Sequence, residues 1–117
     1  MRKSLTKEVL LRKRRDIKRL FFSSRQYACP GARLYLLSTD LPKSRVLVSL
    51  SRGFGRAVDR NYAKRVGKEV FRDLQISLIG GYDIGFVFFP GKFSYQERFA
   101  QMDGLLKRAN ILHVMSA

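Results

Sequence analysis

Residues 45–74 read RVLVSLSRGFGRAVDRNYAKRVGKEVFRDL, and the fold turns on this stretch. Its first part alternates. Val46, Val48 and Leu50 fall on one side of an extended chain, and Arg45, Leu47, Ser49 and Ser51 on the other, so residues 45–52 are predicted to form a half-buried strand. Gly53 and Gly55 punctuate the joint that follows. The period then changes, and residues 57–74 are predicted to form the longest helix. Arg56, Arg60, Lys64, Lys68 and Arg72 recur every four residues. Each such step advances about 40° past a full turn, so the five heads make one gently winding ridge. Val58, Tyr62, Val66, Val70 and Leu74 recur with the same spacing, two residues out of phase. That offset is about 200°, so these five are expected to form the buried side.

The sign of the ridge carries information about a partner. Solvated helix faces usually mix Lys with Glu at i,i+4, whereas like charges at that spacing destabilise an isolated helix. Arg65 flanks the ridge, and the acids of this helix are Asp59, Glu69 and Asp73. A row of phosphates explains a same-sign ridge better than solvent does. Asn61 sits among the cations. Its amide both donates and accepts, so it suits a ribose hydroxyl or a base edge.

Outward from this stretch, the remaining elements follow by pattern. Residues 12–22 read as a basic helix in which Ile17, Leu20 and Phe21 form an apolar stripe. Residues 26–29 are a candidate short strand before the Pro30-Gly31 turn. Residues 32–38 read as a strand, with Leu34 and Leu36 on one face and Arg33, Tyr35 and Leu37 on the other. The turn around Pro42 is expected to join it to residues 45–52 as a hairpin. Residues 82–89, apolar and aromatic between Gly80-Gly81 and Pro90-Gly91, read as a buried strand. Ser94 and Glu97 have the spacing of a capping box, opening a helix whose Phe99, Met102, Leu106 and Ala109 are expected in the core. The order is helix, three strands, helix, strand, helix: a single α+β domain over residues 1–117, with helices packed on a four-stranded sheet.

Composition narrows the function. The chain has 117 residues, enough for one domain, and 45% of them are hydrophobic, enough for one modest core. Against 9 Asp plus Glu stand 24 Lys plus Arg, a net charge of +15. A polyanion offsets the self-repulsion of such a chain, and nucleic acid is the first candidate. The one cysteine, Cys29, and the one histidine, His113, allow no internal disulfide and no zinc site of ordinary ligand count. Cys29 is expected to be a strand or turn residue in a reducing cytoplasm, not a nucleophile. Charged residues break the N-terminal segment, so no signal peptide is expected, and no apolar run is long enough to span a membrane.

The quoted stretch resembles the bacterial ribonuclease P protein component. The family signature is a strand of the type R-V-x-x-S-V-S-K-K followed by G-x-A-V-x-R-N-x-x-K-R-x-x-R-E. It is matched here by Arg45 to Ser51 and by Gly55 to Glu69. Asp16-Ile17-Lys18-Arg19-Leu20-Phe21 is similar to the first-helix pattern D-F-x-x-[LV]-F, and Asp83-Ile84 to the start of the family's last strand. The resemblance implies an α-β-β-β-α-β-α sandwich, like the second domain of a small-subunit ribosomal protein, with a left-handed β-α-β crossover against the usual rule. It also implies a division of labour. A catalytic RNA subunit holds Mg²⁺ and removes the 5′ leader of precursor tRNA, while the protein binds both RNAs and carries no catalytic residue, metal or cofactor of its own. By matching positions, Arg60, Asn61, Lys64, Arg65 and Lys68, with Arg56 from the ridge, form the face toward the RNA subunit. Ile17, Phe21 and Tyr35 match cleft residues for the single-stranded leader, with Ser49, Ser51 and Arg52 on or beside that surface and Arg33 on the strand face of Tyr35. For Phe21, base stacking and ordinary core packing remain equal alternatives.

Four departures from the signature matter. Tyr62 stands where a third basic residue is frequent, and Lys68 stands for an Arg, keeping charge but losing the bidentate fork. Arg52-Gly53 stands for Lys-Lys, and Ile17 stands for a Phe, removing one ring from the cleft. The rival readings are a structural RNA-binding protein of ribosomal type, a stand-alone nuclease and a membrane-surface protein. The Arg60-Asn61-x-x-Lys64-Arg65 segment argues against the first. Scattered acids that pair in no motif argue against the second, and a compact mixed-sheet pattern argues against the third. Neither a membrane nor an obligate protein partner is expected.

Overall fold

Alternation in residues 45–50 does produce a strand, and the glycines after it release the chain into a helix. The computed structural model describes residues 9–112; His113 and the N-terminal residues 1–8 lie outside them. Its elements are α1 (Arg14–Ser23), β1 (Arg25–Cys29), β2 (Ala32–Ser38), β3 (Arg45–Leu50), α2 (Ala57–Leu74) with a 3-10 turn at Gln75–Ser77, β4 (Tyr82–Phe88) and α3 (Tyr95–Arg108). The capping box forms as expected: Glu97 N–H donates to Ser94 Oγ at 3.1 Å, and Ser94 N–H donates to Glu97 Oε1 at 2.9 Å.

The four strands make one mixed sheet in the order β1-β2-β4-β3. The hairpin expected between β2 and β3 does not form. The hairpin is instead β1–β2, closed at Pro30-Gly31, and β4 lies between β2 and β3, antiparallel to the first and parallel to the second. The physical reason lies in β4 itself. Ile84, Gly85 and Phe86 are buried consecutively, so this strand needs cover on both faces, as a central strand has. β3 takes an outer place. Its free edge is covered by residues 9–11, where Val46 N–H donates to Val9 O at 2.7 Å and Leu11 N–H donates to Val46 O at 2.8 Å. That pairing keeps Leu11 extended, and α1 begins at Arg14, two residues later than the predicted helix over 12–22.

Two layers flank the sheet. Ala32, Leu34, Leu36, Val46, Val48, Ile84, Phe86 and Phe88 face α2 and α3 and, with Val66, Val70, Phe71, Met102 and Leu106, form the core. Ala109 is buried with them, and Phe99 packs at the edge. α1 lies on the opposite face against β2 and β4. Close approach depends on two glycines. A Cβ on Gly85 would stand 2.9 Å from Leu20 Cδ2, so α1 seats Leu20 directly on the central strand. A Cβ on Gly67 would stand 2.6 Å from Phe88 Cε2 and 2.9 Å from Val48 Cγ1. Gly67→Ala is therefore expected to destabilise the protein by about 1–3 kcal/mol through overpacking, despite alanine's better helix propensity. Chemical denaturation checks this, and an unchanged midpoint would mean that the α2–sheet contact is looser than described.

The buried side of α2 differs from the expected row. Ala63, Val66, Gly67, Val70, Phe71 and Leu74 are buried, whereas Val58 is 65% and Tyr62 43% exposed. A row of i+4 steps winds round the helix and leaves a flat sheet within a few turns. The sheet instead selects alternating steps of three and four, which hold one side of the helix.

Candidate nucleic-acid interface

The side of α2 turned from the sheet is where the ridge lies. Arg56, Arg60, Asn61, Lys64, Arg65 and Lys68 are all exposed. Arg56 pairs with Asp59 at 3.7 Å, and Arg65 lies over the Tyr62 ring at 5.5 Å. Among the described residues, Arg60, Lys64 and Lys68 have no carboxylate partner. The ridge ends sooner than the spacing predicts, because Arg72 is half-buried and its Nε is enclosed without a hydrogen-bond partner. No side chain caps the start of α2. Its first amides thus remain available beside Arg56 and Arg60, an arrangement that favours anions.

The leader residues proposed from sequence divide into two groups on the α1 face. The strand register sets both. One row across the sheet runs Gln26, Tyr35, Gly85, Leu47, and the next runs Ala28, Arg33, Val87, Ser49. Tyr35 and Arg33 do share a face. Tyr35 meets Phe21 of α1 edge-on, with ring centroids 4.7 Å apart and planes at 74°. Ile17, Leu20 and Phe21 lie at i, i+3, i+4; Leu20 is buried, while Ile17 and Phe21 are half-buried at the margin. Phe21 thus packs and borders open surface at once. Arg33 lies over Phe89 at 5.9 Å. Phe89 and Val87 belong to this surface and were not singled out from sequence. Their period-2 phase with Asp83 was visible, but which strand neighboured β4 was not.

Ser49, Ser51 and Arg52 form the second group. Ser49 is two strands from Arg33 in the same row, about 9–10 Å away at ordinary strand spacing. These three line a polar cleft of about 380 Å³ together with Arg60 and Lys64 of the ridge. The Ser51 hydroxyl is enclosed there without a partner. The two surfaces separated on sequence grounds are therefore contiguous at this end of β3.

An ion network holds α1 over the sheet. Asp83 is fully buried in β4 and accepts two hydrogen bonds from Arg45 of β3, each 2.8 Å. Arg45 also reaches Asp16 of α1 at 3.3 Å, and Asp16 accepts from Arg19 at 3.2 Å. The hydrogen bonds to Asp83 push the Arg45 guanidinium above its ordinary pKa. The network joins α1, β3 and β4 through Asp16, Arg45 and Asp83, one residue from each. Cys29 ends β1, and burial pushes its thiol up, which keeps it protonated. Among the described residues, no three His, Cys, Asp or Glu side chains come together in a group that could hold a metal ion, and no helix is long and apolar enough to cross a membrane.

The Ribonuclease P family matches residues 5–110. A ribonuclease P protein component from Caldanaerobacter subterraneus subsp. tengcongensis is 36% identical over 87 residues, covering 74% of this chain and 72% of that protein. The solved structure of the RNase P protein from Thermotoga maritima is 26% identical and superposes with a TM-score of 0.74 over 85% of this chain and 96% of that one. The RNase P protein of Staphylococcus aureus shares the fold at 20% identity, with a TM-score of 0.80 over 90% of this chain and 98% of that one.

Proposed function

Since the chain belongs to the ribonuclease P protein component family, we propose that it is the protein subunit of a cytoplasmic ribonuclease P particle, binding a catalytic RNA subunit and the 5′ leader of precursor tRNA. A role in tRNA 5′ processing comes with the family. The observation that carries the finer reading is the exposed row Arg56, Arg60, Lys64 and Lys68, with Arg65 and Asn61 beside it, on the side of α2 that the core does not use. Each cation neutralises a phosphate of the RNA subunit and releases counterions. Asn61 supplies the directional contact that a point charge lacks.

The leader lies across the α1 face. Tyr35 and Phe21 offer a stacking edge, Arg33 holds a phosphate beside them, and Ser49, Ser51 and Arg52 continue the path toward Arg60 and Lys64. That contiguity supports a leader that passes directly from the sheet to the RNA subunit. The protein thus positions the scissile region, and Mg²⁺ on the RNA subunit supplies the hydrolytic chemistry. The test is reconstitution: the protein, mixed with its cognate RNA subunit at low Mg²⁺, restores leader removal that the RNA alone performs poorly. No stimulation would overturn the assignment.

The leader path has its own test. Tyr35→Ala removes a stacking surface worth about 1–3 kcal/mol per base, or about 5- to 150-fold. It should weaken precursor tRNA binding by the assembled particle by that factor and leave mature tRNA almost unaffected. Equal losses for both ligands, or none, would make Tyr35 a packing partner of Phe21 only.

A further inference from the structure

The two apolar residues that α2 fails to bury do not face open solvent alone. Val58 and Tyr62, with Phe54, Phe93 and Lys92, line a pocket of about 490 Å³ between the start of α2 and the Gly91–Ser94 loop. Arg98 of α3 also lines it, and this residue is unusual in being 1% exposed. Its guanidinium lies between the Phe88 and Phe93 rings, 3.9 and 4.5 Å from their centroids. Its Nη1 donates to Gly31 O at 3.0 Å and to Gln101 Oε1 at 2.9 Å. It has no carboxylate partner among the described residues, and burial pulls it down to about 10, so it remains charged at neutral pH.

The pocket therefore has flat apolar walls and a cationic surround. Arg65 covers one face of the Tyr62 ring at 5.5 Å, and the exposed Lys92 lines the pocket from the loop side. The acid at its edge, Asp59, is paired with Arg56. A purely apolar partner would leave these cations desolvated and unpaired. A polyanion whose repeating units carry flat aromatic groups satisfies both features. We propose that this pocket receives an unstacked base of the RNA bound by the ridge, with Tyr62 as its stacking surface. The inference rests on the RNA-subunit reading above. It adds a base contact on the side of α2 away from the leader path.

Stacking and phosphate contact differ in their response to salt, and this separates the possibilities. Losing a phosphate contact lowers the log–log salt slope by about 0.7–0.9, whereas losing a stacked base leaves it unchanged. The experiment measures affinity of the full-length protein for its cognate RNA subunit across a salt series, for the unaltered protein, Tyr62→Ala, Tyr62→Phe and Arg65→Ala, with thermal melting to confirm folding. Tyr62→Ala should bind about 5- to 150-fold more weakly at every salt concentration with an unchanged slope. Tyr62→Phe should bind like the unaltered protein, and Arg65→Ala should reduce the slope. Unchanged affinity of Tyr62→Ala would leave the pocket without an RNA role and overturn the proposal. A Tyr62→Ala slope reduced like that of Arg65→Ala would also overturn it, because Tyr62 would then only position Arg65. Failure of the unaltered protein to bind the RNA subunit at all would instead overturn the reading on which the proposal rests.

Discussion

Replacing Arg60, Lys64 and Arg65 together with alanine should weaken binding to the RNA subunit by on the order of 10³-fold. Three charge-assisted contacts at about 1.5 kcal/mol each, the low end for hydrogen bonds to charged groups, give that factor. The salt slope should fall by about 2–3 at the same time, since three phosphates no longer exchange their counterions. Stability should hold or rise slightly. All three side chains are exposed, and Arg60 and Lys64 are like charges at i,i+4 whose removal relieves repulsion within α2. Filter binding across a salt series and thermal melting read the two halves separately. A folded variant that keeps its affinity would show that the ridge is not the RNA surface, and one that unfolds would show that the ridge is structural.

The largest effect on stability is expected at Arg45. Its replacement by methionine leaves the fully buried Asp83 carboxylate with no cation, and breaking a buried pair from one side costs about 3–5 kcal/mol. For a domain of this size that lowers Tm by about 10–25 °C. The pair as a whole is worth much less than either half suggests, because removing both charges also removes the desolvation cost. Arg45→Met combined with Asp83→Leu should therefore recover more than half of the loss. The double variant also lacks the tie from Arg45 to Asp16, so α1 should show faster amide exchange even where global stability returns. A loss below about 1 kcal/mol for Arg45→Met alone would mean that the network does not hold α1 to the sheet.

Much of this was legible in the sequence, and the failures share a cause. Element types and most boundaries follow from local periodicity, and so do the opposed faces of β2 and β3. The capping box at Ser94 is a four-residue signal, legible directly. Strand order was not legible, because adjacency is decided by which strand needs two covered faces. β4 carries that need in Ile84, Gly85 and Phe86, yet the turn at Pro42 reads like a hairpin turn. Tyr62 was misplaced because a four-residue repeat is a helical spiral and not a face. Arg98 gave no signal at all: a basic residue on an amphipathic helix is read as solvated, and only the aromatic walls of Phe88 and Phe93 reveal otherwise.

The place of β4 has a consequence during synthesis. The strand that joins both halves of the sheet is the last of the four to leave the ribosome, and Ala32 must wait for Phe88 before its outer edge is paired. Until then the nascent chain carries a two-stranded ribbon and a separate strand, neither able to bury its apolar face. Such long-range pairing is slow to form. The basic helix that follows β3 is already exposed by then. Newly made chains thus present their cations to any nearby polyanion before they own a core, and an RNA that engages α2 early would meet a protein still completing its sheet.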